Sequence, residues 1–187
     1  MIGGGQRRER RGETLLVYVQ KIRGLHFQFI CHIRLERDQD GNILQEQPAS
    51  RYHNLSNLPL NAYGNGPFCR FRITRVGQSS HTLDMLGVYA ILDENNDIMY
   101  IGKCTGFTSA LRRRFNAGYG RIQPRNCYKR GQSTNCRVNN LVLQTIKKGK
   151  TLTLFFHETQ DGKEAKHLEA RLVRLGDKPP WNINEPW

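Results

Sequence analysis

Several things are scarce in this sequence, and each shortage excludes something. There is no run of about 18 apolar residues, so no helix is expected to span a membrane. The first residues, MIGGGQRRERRG, lack the apolar stretch of a signal peptide, which argues against secretion. The five cysteines (Cys31, Cys69, Cys104, Cys127 and Cys136) are odd in number, and no two stand three apart. That disfavours both a disulfide framework and a Cys-x-x-Cys zinc site, and all five read as reduced cytosolic thiols. Cys127 and Cys136 have no histidine between them, and His26, His32 and His53 are scattered, as structural or surface histidines usually are. No internal repeat is present.

The most informative shortage is of negative charge. The 187 residues include 29 Lys plus Arg against 16 Asp plus Glu, a net charge of +13. Between Ile98 and His157 there is no acidic residue at all, while the same stretch holds twelve basic ones. Soluble surfaces normally mix signs to gain local ion pairs. A long stretch of one sign repels itself unless a polyanion relieves it. A phosphate-binding face is the expected use, a plain basic surface the alternative.

The chain divides by composition into three parts. Residues 1–12 form a Gly/Arg-rich arm, expected to be flexible and suited to tracking phosphates. Residues 13–83 are strand-rich, with runs at Leu15–Val19 and Phe27–Ile33 and an alternating segment at Phe68–Ile73. Residues 84–187 have a different pattern. Gly87–Asp93 and Ile98–Ile101 read as strands joined by Glu94-Asn95-Asn96, a hairpin. Thr108 or Ser109 is suited to cap a short helix through about Asn116, ended by Gly118. A second helix is expected over 134–148, with Val138, Leu141, Val142 and Ile146 on one stripe and Gly149 as its stop. Thr151–Phe156 is a third strand. Lys163–Leu175 is a third helix, with Leu168, Leu172 and Val173 inward and Gly176 ending it. The order is β-β-α-α-β-α, followed by Lys178-Pro179-Pro180-Trp181-Asn182.

Glu169 lies within the apolar stripe of that last helix, one residue after Leu168 and three before Leu172. A buried carboxylate needs a partner. An ion pair to a nearby Arg and a hard divalent cation such as Mg²⁺ both satisfy it.

Gly87-Val88-Tyr89 followed by Tyr100-Ile101-Gly102-Lys103 resembles the signature of the GIY-YIG nucleases. Either triplet alone would mean nothing. Here they fall on the two strands of a hairpin and are followed by Arg114 in L-R-R-R-F, Glu169 in H-L-E-A-R-L-V, and the closing K-P-P-W-N. These five elements, in order, cover about residues 87–182. The loop Cys104–Ser109 departs from small members by about two extra residues. The resemblance implies an α+β fold: a three-stranded antiparallel sheet flanked by helices, with the strand-rich N-terminal region as an extension.

It also implies phosphodiester hydrolysis. Tyr89 would be the general base for water, its pKa lowered by neighbouring cations, and Tyr100 would orient water or phosphate. Lys103 would hold the phosphate or tune a tyrosine, and Arg114 would stabilise charge on the non-bridging oxygens. Arg112 and Arg113 rival Arg114, which is chosen by its register three residues after Leu111. Glu169 would bind one Mg²⁺ (or Mn²⁺) per active site, and Asn182 would fix the geometry.

Asn126–Ile146 is similar to a segment of the type II restriction endonucleases of this class. That subtype implies a sequence-specific double-stranded DNA endonuclease, cytoplasmic and encoded by a bacterium or phage. It would act as a homodimer, because a two-fold protein reads a palindrome, and would have a possible cognate DNA methyltransferase encoded beside it. Candidate DNA contacts are Gln28, Arg70 and Arg72 in the N-terminal region, which would supply recognition or dimer contacts, and Arg112, Arg113, Arg121, Arg125, Lys129 and Arg130 further on. Gln132, Asn135 and Arg137 complete the set. Arg, Gln and Asn pair bidentately with base edges. A repair or mobile-element nuclease with the same chemistry, and a DNA-binding module that has lost catalysis, are the competing readings. Glu164-Ala165-Lys166 matches half of another restriction-nuclease motif, but the Pro-Asp that should precede it is missing.

Overall fold

The computed structural model describes residues 18–51, 57–73, 84–106 and 110–183. The arm at 1–12, Leu15 to residue 17 of the first expected strand, His53, and the cap at Thr108 or Ser109 lie outside the described residues.

Strands β1 (Val19–Ile22), β2 (Leu25–His32), β5 (Gly87–Asp93), β6 (Ile98–Cys104) and β7 (Leu152–Glu158) form one antiparallel sheet in the order β1-β2-β7-β5-β6. A separate two-residue pair joins β3 (Gln45–Glu46) to β4 (Phe68–Cys69). The helices are α1 (Ala110–Arg112), which continues as a π-helix over Arg113–Tyr119, α2 (Ser133–Lys147) and α3 (Gly162–Arg174). The class is α+β, and the β-β-α-α-β-α order holds.

Every residue of β5 is buried, because the sheet is covered on both faces. Tyr89 and Ile91 pack on one side with Phe115, Tyr119, Val138 and Val142. Val88, Ala90 and Leu92 pack on the other with Leu168 and Leu172 of α3. The period-2 alternation of the strand thus feeds two cores rather than a core and solvent. α3 starts firmly: the Asp161 side chain accepts from the Glu164 amide at 2.7 Å, and Glu164 Oε2 accepts from the Gln160 amide at 2.7 Å. Such a cap is worth about 1 kcal/mol, and it occupies the Glu164 carboxylate.

Three expectations need revision. The sheet has five strands rather than three, since β1 and β2 extend it through the β2–β7 pairing. Of the N-terminal strands, β1 and β2 therefore belong to the main sheet, and β3 and β4 form their own pair. Cys69–Ile73 alternates in burial, with Cys69, Phe71 and Ile73 inward, but Phe68 is buried too, in a separate cluster, and only Phe68–Cys69 is strand. The first helix passes Gly118 and runs to Tyr119, because its last turn widens: the Gly120 amide donates five residues back to Phe115 at 2.5 Å.

Candidate active site

β6 is an edge strand of the sheet, and a cavity of about 800 Å³ lies along it. Tyr89, Tyr100, Lys103, Arg114, Glu169 and Asn182 all line this space. They come from β5, β6, the π-helix, α3 and the tail. An edge strand explains how they meet. Tyr89 and Tyr100 belong to the core on one face of the sheet, while Lys103 pairs with Glu169 of α3 on the other.

The two motif glycines make the tyrosines possible. Tyr89 sits opposite Gly102 across the β5–β6 ladder. A Cβ at Gly102 would lie 2.3 Å from the Tyr89 hydroxyl, so the Tyr89 side chain occupies the space that any larger residue would fill. At Gly87 a Cβ would lie 2.1 Å from the His157 carbonyl oxygen, so only glycine lets β5 approach β7 there.

The sequence reading missed Tyr119. Its hydroxyl lies 2.7 Å from that of Tyr89 and 3.3 Å from that of Tyr100, making a chain of three phenols. The Arg114 guanidinium stands 5.7 Å from the Tyr119 ring centroid, a cation–π distance. Tyr119 is five residues after Arg114, a spacing that places two side chains on one face of a π-helix but not of an α-helix. The available signal was a tyrosine shortly after the arginine run. The widened turn that aims it was not legible.

Burial holds both strand tyrosines protonated. Tyr89 is 1% exposed, and burial pushes its hydroxyl well above the usual phenol range. Tyr119 and Tyr100 push the same way, and the opposing pull of Arg114 is smaller. The expectation that neighbouring cations would lower this pKa is therefore reversed, because desolvation outweighs the one nearby guanidinium. Tyr100 is raised mainly by burial as well, then by Tyr119 and Glu169, against a lowering by Arg137. Arg114 is held all the more firmly as a cation by the tyrosine hydroxyls, Tyr89 first.

Glu169 Oε2 accepts from the Lys103 ammonium, so the partner of the half-buried carboxylate is a lysine rather than an arginine. Asn182 brackets Ile101 in β6: its Oδ1 accepts from the Ile101 amide at 2.9 Å and its Nδ2 donates to the Ile101 carbonyl at 2.8 Å. With Trp181 donating its amide to the Met99 carbonyl at 3.0 Å, the tail fastens to the open edge of β6.

The DNA-contact candidates separate into groups. Gln132, Asn135 and Arg137 line the main cavity from α2 and the residue before it. Arg113 and Arg125 line a neighbouring cavity of about 500 Å³, whose wall also includes Arg114, Gln132 and Asn135. Arg112 pairs with Asp84 at 3.4 Å, Arg70 pairs with Glu46, and Arg72 pairs with Glu36 at 3.8 Å. Gln28, Arg121, Lys129 and Arg130 are exposed and line neither cavity. His157 bonds the His26 carbonyl through Nδ1 at 2.8 Å, a contact within the sheet.

Glu169 is the one carboxylate on the main cavity, and no three His, Cys, Asp or Glu side chains gather among the described residues. One hard carboxylate at an open cavity, paired with Lys103, is a donor set that Mg²⁺ could use, since that ion takes one or two carboxylates plus water and phosphate oxygens. Among the described residues no helix is long and apolar enough to cross a membrane. The chain matches no protein-family model, no curated protein and no solved structure.

Proposed function

We propose that the cavity along β6 hydrolyses phosphodiester bonds in double-stranded DNA, and that the protein is a GIY-YIG endonuclease of the restriction type. One observation carries the reading: six residues scattered from 89 to 182 line one cavity, where four cations (Lys103, Arg114, Arg137 and Arg174) meet a single carboxylate. That charge balance suits an anionic substrate and leaves one hard ligand for a metal. In this reading β5, β6, β7 and the helices are the GIY-YIG core, and β1–β4 supply recognition or dimer contacts.

The division of labour follows from the contacts. Arg114 faces charge building on the non-bridging phosphate oxygens. Lys103 holds the phosphate and orients Glu169. Asn182 keeps Tyr100 and Lys103 in place through the backbone of Ile101. Tyr89 takes a proton from the attacking water as its own proton passes to the Tyr119 hydroxyl at 2.7 Å, and Tyr119 in turn releases its proton to solvent in the cavity. Water then bonds to phosphorus while the bond to the leaving oxygen breaks, and that oxygen takes a proton from solvent, which balances the one released through Tyr119. Mg²⁺ held by Glu169, when bound, would neutralise phosphate charge and favour ionisation of nearby hydroxyls.

The deciding experiment is incubation of the full chain with plasmid and phage DNA and Mg²⁺, followed by sequencing of the ends. Discrete ends support the restriction reading. A smear removes sequence specificity. DNA bound but left intact, with Mn²⁺ also failing, points to a binding module without catalysis.

A further inference from the structure

We infer that the first turn of α2, with Arg137 behind it, is a second phosphate seat that holds a phosphodiester neighbouring the one cut. The inference rests on reading the cavity as a nucleic-acid site, and it adds a substrate requirement: the chain should need a polynucleotide, not an isolated phosphodiester.

Three observations meet there. Gln132, Ser133 and Thr134, at the start of the 15-residue helix, face the cavity. No side chain caps this end, and its first turn contains no acidic residue. The Ser133 and Asn135 amides bond within the turn, to the Gly131 and Gln132 carbonyls, so it is the positive end of the helix dipole that favours an anion here. Second, Arg137 is 5% exposed and lines the cavity, and among the described residues it pairs with no carboxylate. Its Nη1 donates to the Trp181 carbonyl, while its Nε is buried without a partner. A buried guanidinium without a counter-ion is costly, and an anion in the cavity removes that cost. Third, Asn135 is 3% exposed, and its Oδ1 is buried and unpartnered while its Nδ2 donates to Gln132 Oε1 at 2.9 Å. Turning both amides over keeps their mutual bond and leaves Asn135 Nδ2 as the free group, a donor for phosphate.

This seat and the one assigned to the scissile phosphate are built on different elements, α2 and the π-helix. Arg114 belongs to the wall built by Tyr89 and Tyr119, whereas Arg137 is anchored to the tail at Trp181 and influences Tyr100. One polynucleotide strand can place successive phosphates against the two guanidinium groups.

The test is binding of a fluorescein-labelled DNA duplex to the full chain in EDTA, across a series of KCl concentrations. Each phosphate contact contributes about 0.9 to the slope of log K against log salt. Arg137→Gln should lower the slope by about that amount and weaken binding roughly tenfold. Ser133→Asp should do the same while keeping or raising the thermal midpoint, since Asp suits a helix start. Gln144→Glu, the same charge change on the exposed far end of α2, should leave the slope unchanged. An unaltered slope in folded Ser133→Asp overturns the seat, whatever Arg137→Gln does. If the parent protein binds DNA without salt dependence, or not at all, the nucleic-acid reading of the cavity fails instead.

Discussion

Residues 1–83 and 84–187 carry nearly the same excess of positive charge: twelve basic and six acidic side chains in the first, seventeen and ten in the second. Both regions hold ion pairs, Arg112–Asp84 and Lys103–Glu169 among those of the second, but they differ in the cations left without one beside the cavity. In the first region Arg70 and Arg72 are tied to Glu46 and Glu36. In the second, Arg114 lies against tyrosine rings and Arg137 against a backbone carbonyl, and neither has a carboxylate partner among the described residues. The net charge of a segment therefore says little about where a polyanion binds. Un-neutralised cations on a concave surface say much more, because each is held at a cost that an anion would relieve.

The sharpest way to break the comparison is at Glu169, the single carboxylate on the main cavity. Glu169→Ala should lower Mg²⁺-dependent cleavage by about 10³-fold while DNA binding persists. Plasmid cleavage and duplex binding, measured on the same preparation, check both halves, and surviving cleavage removes Glu169 as the metal ligand.

Next is Tyr89→Phe, expected to slow single-turnover cleavage by about 10²-fold, the low end for loss of a general base. A near-normal rate would remove Tyr89 from that role. The same variant tests the burial argument. The folded pKa of Tyr89 lies above the unfolded value of about 10, so the native state keeps the proton longer. Stability from this group is intact below about pH 10 and is lost as pH rises through the folded value. The thermal midpoint should fall at alkaline pH, and less steeply in Tyr89→Phe. Cys69 and Cys104, whose thiols burial pushes up to about 12, act in the same direction, so the variant softens the fall without abolishing it.

Gly102→Ala should destabilise the protein by about 1–3 kcal/mol, the cost of overpacking, because the new Cβ meets the Tyr89 ring. Chemical denaturation measures it, and an unchanged midpoint would mean that the ring has room to move. The smallest effect belongs to the first region. Arg72→Ala removes an exposed pair and should change stability by less than about 1 kcal/mol, with DNA affinity nearly unchanged. A large loss of affinity would mean that the N-terminal arginines leave their carboxylates to bind DNA, and the contrast between the regions would collapse.

The second region was the more legible from sequence. The β5–β6 hairpin, α2 and α3 announce themselves through apolar spacing and glycine stops, and Gly149 and Gly176 both adopt the positive φ of such stops. In the first region β2 was expected close to where it lies, but its partner was not. The pairing of β2 with β7 joins residues more than a hundred positions apart, and no local pattern encodes it. Within the site, Tyr89, Tyr100, Lys103, Arg114, Glu169 and Asn182 could be named by motif. Tyr119 depends on a widened helical turn, and Arg137, although named among the candidate DNA contacts, gave no local sign of its burial or of its lack of a carboxylate partner.

The sequence alone determined the class of elements, their order, the acid-free stretch and a set of residues whose types suit phosphate chemistry, because these follow from side-chain type and short-range periodicity. Tertiary structure decided the rest. It set which cations keep a counter-ion, which hydroxyls stand within hydrogen-bond reach of one another, and the direction of the Tyr89 pKa. Those quantities depend on desolvation and distance across the fold, and both exist only once β5, β6 and the helices enclose the cavity.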